Sequence, residues 1–320
     1  MSVLLAEPPS ARGARVVAVG PEPVPGTKPR GRRRRRLVRW LRGGLAFYLV
    51  GLLLIATFQE RIIFPGHATQ GRPDAVVEPG PDTELLSLRT ARGDRVVALF
   101  GAALTADGRP RPDAARRPTL LFFYGNAMCL ATARDLLDDL RRIGVNVLIP
   151  EYAGYGMSSG RPSEANCYAT VDASLEHLKK RKNIDPNRIV VGGWSLGAAV
   201  AIDLAAREKT AGLISLSGFT SGVEMGRRLM PFLPVRLLLR HRFASVDKIG
   251  RVACPIFVGH GADDHIIPAE MADRLAAAAR APVTRRIIPG ADHNDFFLVG
   301  GDDLLQALGR FLDSLPDGTP

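Results

Sequence analysis

The residue with the clearest potential for chemistry is Ser195, at the centre of the sequence GWSLG at residues 193–197. An apolar run at 188–193 precedes it and an Ala-rich, helix-forming segment follows it, so a strand must turn into a helix within a few residues. Such a turn strains the backbone of the serine and exposes its hydroxyl, and glycines on both sides avoid a clash. The pattern predicts that Ser195 is a nucleophile.

Two loops farther along the chain supply the groups that a serine nucleophile needs, namely a general base and an acid that orients the base. Asp264 follows the apolar run at 254–259, and His293 follows the run at 283–288. Loops at the carboxyl ends of parallel strands face one site, and the chain order Ser, Asp, His is an established order for a catalytic triad. The sequence predicts His293 as the base and Asp264 as the acid, with Asp263 as the competing candidate for the acid.

Acyl transfer through a serine also requires hydrogen-bond donors for the oxyanion. The backbone N–H of Leu196, directly after the nucleophile, is one candidate. The other is expected in the loop after the strand-like run at 119–124, where the N–H of Asn126 is the first choice and that of Ala127 the second. Gly125 in this loop allows a close approach of the backbone.

Apolar runs and helix-length segments alternate from residue 84 onward. This alternation predicts an α/β fold with a mostly parallel central sheet and helices on both faces. Residues 219–250 interrupt the pattern with apolar, basic, Pro-containing segments, and we expect them to form a small helical lid. The strand-like runs are 95–102, 119–124, 145–149, 188–193, 211–216, 254–259 and 283–288, and the helix-length segments are 131–143, 164–181, 196–207, 269–280 and 302–315.

Several motifs resemble those of the membrane-anchored, bud-emergence-type (Bem-like, ABHD-type) branch of the α/β-hydrolases, which is related to prolyl oligopeptidases. FQERIIFP at 58–65 is similar to the exit of that family's membrane helix, and EYAGYGMSSGRPSE at 151–164 to its tyrosine- and glycine-rich segment. The Gly-Asn-Ala of loop 124–127 and the Gly-x-x-Asp-x-x-Ile-Pro of loop 261–268 also match. The resemblance extends from about Phe58 to the C-terminus. It implies the α/β-hydrolase fold, serine-hydrolase chemistry and the triad Ser195, Asp264 and His293.

One position departs from the family pattern, because Tyr124 stands where the family has a histidine before Gly-Asn-Ala. In the similar prolyl-oligopeptidase group a tyrosine hydroxyl donates to the oxyanion. The resemblance therefore offers Tyr124 as a further oxyanion donor. The alternative is that Tyr124 is a packed aromatic residue.

The sequence before residue 60 predicts a membrane anchor. The 16 uncharged residues 43–58 would rise about 24 Å as a helix, and Trp40 and Leu41 can extend them towards the roughly 30 Å of a hydrocarbon core. A buried core helix, a cleaved secretory signal and a twin-arginine signal are the alternatives. We divide the chain into a disordered basic tail (1–42), a transmembrane helix (43–59) and a hydrolase domain (60–320).

The formal net charge of +11 is concentrated near the N-terminus, since residues 1–42 carry +9 and the rest of the chain carries +2. The arginine run at 32–36 is typical of a cytoplasmic flank. We expect a single-pass protein of a bacterial inner membrane with an extracytoplasmic catalytic domain. The near-neutral body argues against nucleic-acid binding, and anionic lipid headgroups are the expected partner of the basic tail.

No cofactor and no metal site are predicted. The remaining histidines lack the spacing of metal ligands, and the three cysteines match no zinc or redox motif. We expect Cys129, Cys167 and Cys254 to be buried thiols, with one disulfide as the alternative in an oxidising compartment. The remaining histidines are His67, His177, His241, His260 and His265.

These features together predict a serine hydrolase that cleaves a carboxylic ester, a thioester or a lipid acyl bond through an acyl-enzyme intermediate. Its partners are expected to be a small-molecule or lipid acyl substrate and, through the N-terminal helix, a membrane. Apolar lid residues such as Leu229, Phe232 and Leu237 favour a lipid. A serine peptidase on the same fold and a non-catalytic scaffold are the alternatives.

Overall fold

The structure, a computed structural model, describes residues 17, 18, 20, 30–80 and 82–316. The chain divides into two compact units, Met1–Gly51 and Leu52–Pro320. Helix α1 runs from Arg30 to Ile63, so its first part belongs to the first unit and its last three turns belong to the second.

The start of helix α1 corrects the prediction that residues 1–42 form a disordered tail, because residues 30–42 are helical. Helix α1 ends shortly before Pro65 and contains no proline, which is poorly tolerated inside a helix. Arginine has a high helix propensity, so the basic run continues the helix rather than ending it. Except for residues 17, 18 and 20, the rest of the predicted tail lies outside the described residues.

The segment Arg34–Ile63 of helix α1 is long and apolar enough to cross a membrane, and an 18-residue stretch within it has a mean hydropathy of 1.8. A signal sequence near the N-terminus meets the same criteria of length and apolarity. The boundaries 43–59 of the transmembrane helix stay a prediction.

The second unit contains an eight-stranded sheet. Its strands are β1 (Thr83–Arg89), β2 (Arg95–Gly101), β3 (Thr119–Phe123), β4 (Asn146–Pro150), β5 (Ile189–Trp194), β6 (Gly212–Leu216), β7 (Ile256–Gly261) and β8 (Val283–Ile288). They lie in the order β1-β2-β4-β3-β5-β6-β7-β8. β2 pairs antiparallel with β1 and β4, and all other pairs are parallel. Every residue of β3, β4, β6 and β7 is buried, so both faces of the central sheet are covered.

Helices separate the parallel strands, which confirms the predicted mostly parallel α/β sheet. Four of them are α2 (Arg134–Arg142), α3 (Glu164–Lys180), α4 (Leu196–Ala205) and α8 (Ala269–Ala278), and α9 (Phe296–Asp313) follows the last strand. The segment 219–250, which we call the lid, contains three shorter helices, α5 (Gly222–Leu229), α6 (Val235–Leu238) and α7 (Ser245–Ile249).

Two elements differ from the prediction. Strand β1 was not predicted, because it is an edge strand whose sequence buries only Leu86 and Leu88 and therefore contains no continuous apolar run. Helix α9 begins at Phe296 instead of residue 302, since two helical pieces join across Gly301. The φ of 42° at Gly301 lies in the left-handed region, where glycine is favoured.

Candidate active site

Ser195 lies in the sharp turn between β5 and α4, with a φ of 59° and a ψ of −116°. A non-glycine residue in this region stores strain of about 1–3 kcal/mol. The glycines on either side are required by packing: a Cβ on Gly193 would meet the Gly197 carbonyl carbon at 2.3 Å, and one on Gly197 would meet the Phe123 oxygen at 1.9 Å. The turn therefore fixes Ser195 at the carboxyl edge of the sheet.

The structure brings together the three residues predicted to form a triad. His293 Nε2 lies 3.0 Å from Ser195 Oγ, and His293 Nδ1 lies 2.7 Å from Asp264 Oδ2. All three side chains are buried. The loops after β7 and β8 carry Asp264 and His293, so the parallel order of β5, β6, β7 and β8 accounts for their convergence.

The surroundings of Asp264 keep its carboxyl ionised. Oδ1 accepts hydrogen bonds from the backbone N–H groups of Ile266, at 3.0 Å, and Ile267, at 2.6 Å. Burial raises the pKa of Asp264, but hydrogen bonds from His260, His293 and the Ile267 N–H outweigh it and hold the pKa well below its usual range. The competing candidate Asp263 is exposed, and no hydrogen bond to His293 is found for it among the described residues.

Two aromatic side chains next to the triad were not assigned to the site by sequence reasoning. The Trp194 ring stacks on the His293 ring, with centroids 5.0 Å apart and an interplanar angle of 27°. His260 is fully buried, and its Nε2 donates to the Ile267 carbonyl at 2.8 Å and lies 3.4 Å from Asp264 Oδ2. Its spacing of four residues from Asp264 was the only signal in the sequence.

Leu196 and Asn126, the predicted oxyanion donors, both line a cavity together with Ser195. The N–H of Leu196 is in the first turn of α4, where backbone N–H groups have no partner inside the helix. The side chain of Asn126 is already engaged, because its amide nitrogen donates to the Ile63 carbonyl and its oxygen accepts from the Tyr155 hydroxyl at 2.8 Å. Only the backbone of Asn126 therefore fits the predicted role.

The structure contradicts the prediction that the Tyr124 hydroxyl donates to an oxyanion. Tyr124 is fully buried, and its hydroxyl donates to Glu151 Oε1 at 2.7 Å. The same carboxylate accepts from the backbone N–H groups of Leu130, at 2.8 Å, and Met157, at 3.1 Å. Burial raises the pKa of Glu151 despite these hydrogen bonds. A buried carboxyl group requires hydrogen-bond donors, and the Tyr124 hydroxyl is one of the donors to Glu151. Tyr124 is therefore a packed residue of the core.

A cavity of about 510 Å³ adjoins Ser195 and His293. Among the described residues its lining includes no Asp, Glu, Lys or Arg. The lid contributes apolar residues such as Met225, Leu229 and Leu233, and the end of α1 contributes others. The volume lies within the range of about 300–1,000 Å³ that is usual for small-molecule sites.

The cysteines were predicted to be buried thiols. Cys129, Cys167 and Cys254 are buried and none is in a disulfide. In the part of the chain that the structure describes, no cluster of three or more His, Cys, Asp or Glu side chains could hold a metal ion.

A strained serine, a histidine and an aspartate at the carboxyl edge of a parallel sheet are the arrangement of the α/β-hydrolase class. The model of the alpha/beta hydrolase family matches residues 123–247. An uncharacterized protein of Mycobacterium tuberculosis is 39% identical over 270 residues, 84% of this chain and 92% of its own length. Alpha/beta hydrolase domain-containing protein 17B of Homo sapiens is 33% identical over 230 residues, 72% of this chain and 75% of its own length. The chain belongs to the alpha/beta hydrolase family.

Solved esterase structures share the fold. An esterase of Pyrococcus furiosus aligns with a TM-score of 0.61 at 18% identity, covering 75% of this chain and 95% of the esterase. Est1E from Butyrivibrio proteoclasticus aligns with a TM-score of 0.56 at 17% identity, covering 71% of this chain and 97% of Est1E. These likenesses confirm the predicted α/β-hydrolase fold.

Proposed function

We propose that this protein is a serine hydrolase that cleaves a carboxylic ester, a thioester or a lipid acyl bond through an acyl-enzyme intermediate. The observation that carries the proposal is the continuous hydrogen-bond chain from Ser195 Oγ through His293 to Asp264. All three side chains are buried and their hydrogen bonds are formed without a substrate, so the nucleophile, the base and the acid are already in the arrangement that the reaction needs.

In the proposed reaction, His293 Nε2 accepts the proton of Ser195 Oγ while that oxygen attacks the acyl carbonyl carbon. The ionised Asp264 stabilises the resulting imidazolium and holds its Nδ1–H. His293 then gives the proton to the leaving oxygen or sulfur, and the acyl group stays on Ser195. A water molecule then attacks the acyl carbonyl carbon while His293 accepts a proton from it. The bond between this carbon and Ser195 Oγ breaks, His293 returns the proton to Oγ, and the acid is released.

The oxyanion of each tetrahedral intermediate is assigned to two backbone donors, the N–H of Leu196 and the N–H of Asn126, with that of Ala127 as the second choice. Donors on the backbone are held by the turn and the loop, so they require no reorganisation during the reaction. Leu196, Asn126 and Ala127 line the same cavity as Ser195, which supports this assignment.

The membrane anchor, the topology and the family branch are part of the same proposal. The chain is proposed to be a single-pass inner-membrane protein of the bud-emergence-type (Bem-like, ABHD-type) branch, with a cytoplasmic N-terminus and an extracytoplasmic catalytic domain. Helix α1 and its basic flank support the anchor and its direction. The uncharged cavity supports an acyl substrate over a peptide with charged side chains or termini.

The test compares the purified full chain with its Ser195→Ala variant in labelling by a fluorophosphonate and in hydrolysis of p-nitrophenyl esters. Ser217→Ala is a matched control, because Ser217 is also buried at a positive φ, 43°, but does not line the cavity. We expect labelling and hydrolysis to disappear only in Ser195→Ala. Labelling without ester hydrolysis would favour a peptidase, and no labelling of the wild-type chain would favour a scaffold.

A further inference from the structure

The last turns of helix α1 form one wall of the cavity beside Ser195. The residues of this wall have the spacing i, i+4, i+7 and i+8, which places them on one face of the helix. They are Ile55, Gln59, Ile62 and Ile63. Leu53 lies on another face and is 66% exposed. All of these residues belong to the same compact unit as Ser195.

The end of α1 is attached to the loop that carries the proposed oxyanion donor. The Asn126 side-chain amide donates to the Ile63 carbonyl, and the Gly66 N–H donates to the Asn126 carbonyl at 3.2 Å. Ile55 lies eight residues before Ile63, which is about 12 Å along a helix axis. The lining residues of α1 therefore extend from the loop of Asn126 to Ile55.

The lid lines the same cavity and is hydrogen-bonded to the same helix. The buried side chain of Gln59 donates to the Leu238 carbonyl at 3.2 Å and accepts from the Arg240 N–H at 2.9 Å. The Arg240 guanidinium donates to the Ala56 carbonyl at 3.1 Å. These three hydrogen bonds join the end of helix α1 directly to the lid.

The chemistry of this space indicates what occupies it. Most of the side chains that line this space are apolar, and no charged Asp, Glu, Lys or Arg side chain is among the described lining residues. The Gln59 amide, one of the polar groups in the lining, is already hydrogen-bonded to the lid. An unbranched hydrocarbon chain satisfies such a lining, since each buried methylene strengthens binding by about fourfold. A charged or strongly hydrated group would lose its hydration there without gaining a partner.

We propose that the end of helix α1 and the lid form the binding site for a long, unbranched acyl chain, and that Ile55 limits the length of this chain. The acyl carbonyl lies at Ser195 and the tail extends towards Ile55. The inference rests on the proposed serine hydrolase function and adds a specificity-determining role to a helix otherwise predicted only as an anchor.

The experiment measures kcat/KM for p-nitrophenyl esters from acetate to palmitate with the full chain in one detergent. Ile55→Trp adds bulk at the proposed end of the acyl site, and Ile55→Ala removes it. Leu53→Trp is the matched control, since it adds the same bulk to an exposed position two residues away. Acetate hydrolysis by each variant reports whether the fold and the reacting centre are intact.

We expect Ile55→Trp to lose tenfold or more on the long esters, because displacing two methylenes costs about fourfold each. Acetate hydrolysis should be unchanged, Ile55→Ala should shift the preference to longer chains, and Leu53→Trp should behave as the wild type. If both Ile55 variants keep the wild-type chain-length profile while acetate is hydrolysed, the acyl site is elsewhere and the inference is wrong. If the wild-type chain hydrolyses no ester and takes no fluorophosphonate, the proposed function itself fails.

Discussion

Replacing Asp264 with Asn should disable the proposed base without removing any heavy atom of the site. Asp264 Oδ1 accepts from the N–H groups of Ile266 and Ile267, so an asparagine must place its oxygen there and its NH₂ group towards His293. His293 Nδ1 then becomes an acceptor and Nε2 carries the proton. A protonated Nε2 cannot take the proton of Ser195, which lies 3.0 Å away.

The expected magnitude follows from this change of tautomer. Amidation of the orienting acid in a Ser-His-Asp site lowers kcat by about 10⁴-fold, which corresponds to about 5.4 kcal/mol of transition-state stabilisation. The loss of stability should be far smaller, about 1–3 kcal/mol, because the two backbone hydrogen bonds to Oδ1 are kept. For a domain of this size each kcal/mol lowers Tm by about 2–4 °C.

The assay measures kcat on a p-nitrophenyl ester and Tm by circular dichroism for Asp264→Asn and for Asp263→Asn. Asp263 is the matched control, because it is the adjacent exposed carboxylate that competed for the acid role. Asp263→Asn should stay within about twofold of the wild type, as expected for a surface change. The reasoning is refuted if Asp264→Asn keeps kcat within tenfold, or if Asp263→Asn causes the larger loss.

Three further substitutions, one of them paired with a control, test the residues that support the site. Tyr124→Phe should keep kcat within about twofold, far from the roughly 10²-fold loss that follows removal of an oxyanion donor, and a larger loss would restore Tyr124 to that role. Because burial raises the pKa of Glu151, the folded state holds its proton above the unfolded pKa of about 4.3. Ionised Glu151 therefore destabilises the folded state, so the Tm of the wild type should fall as the pH rises above about 4.3. In melts from pH 4 to pH 8, Glu151→Gln should remove this part of the pH dependence of Tm. Gly197→Ala should abolish soluble folded protein, because its Cβ would overlap the Phe123 oxygen, whereas Gly309→Ala, which has open space, should raise Tm slightly. A folded Gly197→Ala or an unchanged pH dependence of Tm in Glu151→Gln would contradict these expectations.

The sequence alone determined the parts of the site that local structure controls. A strand followed at once by a helix requires a sharp turn, so Gly193, Ser195 and Gly197 were recognisable from their spacing. Strand ends were marked by the end of an apolar run, and in a parallel sheet such ends lie at one edge. The proximity of Ser195, Asp264 and His293 could therefore be predicted without coordinates, since sheet topology brings their loops together.

The partners of buried polar side chains were decided only by the tertiary structure. In sequence, Tyr124 in the oxyanion loop has the same pattern whether its hydroxyl faces the cavity or the core. Its contact with Glu151 joins residues that are 27 positions apart, and neither residue's local pattern specifies the other. The hydrogen bond between His260 and the Ile267 carbonyl, which orders the loop of Asp264, likewise depends on how the chain turns back on itself.

The role of the end of helix α1 likewise could not be predicted from the sequence. Its apolar composition predicts a membrane helix. A hydrocarbon core and a protein cavity both favour apolar side chains, so composition alone does not distinguish these two environments. The predicted boundary at residue 60 therefore cut through a compact unit that begins at Leu52. Only the fold places the face with Ile55 and Gln59 against the lid, because the contacts that form this wall join residues almost 180 positions apart.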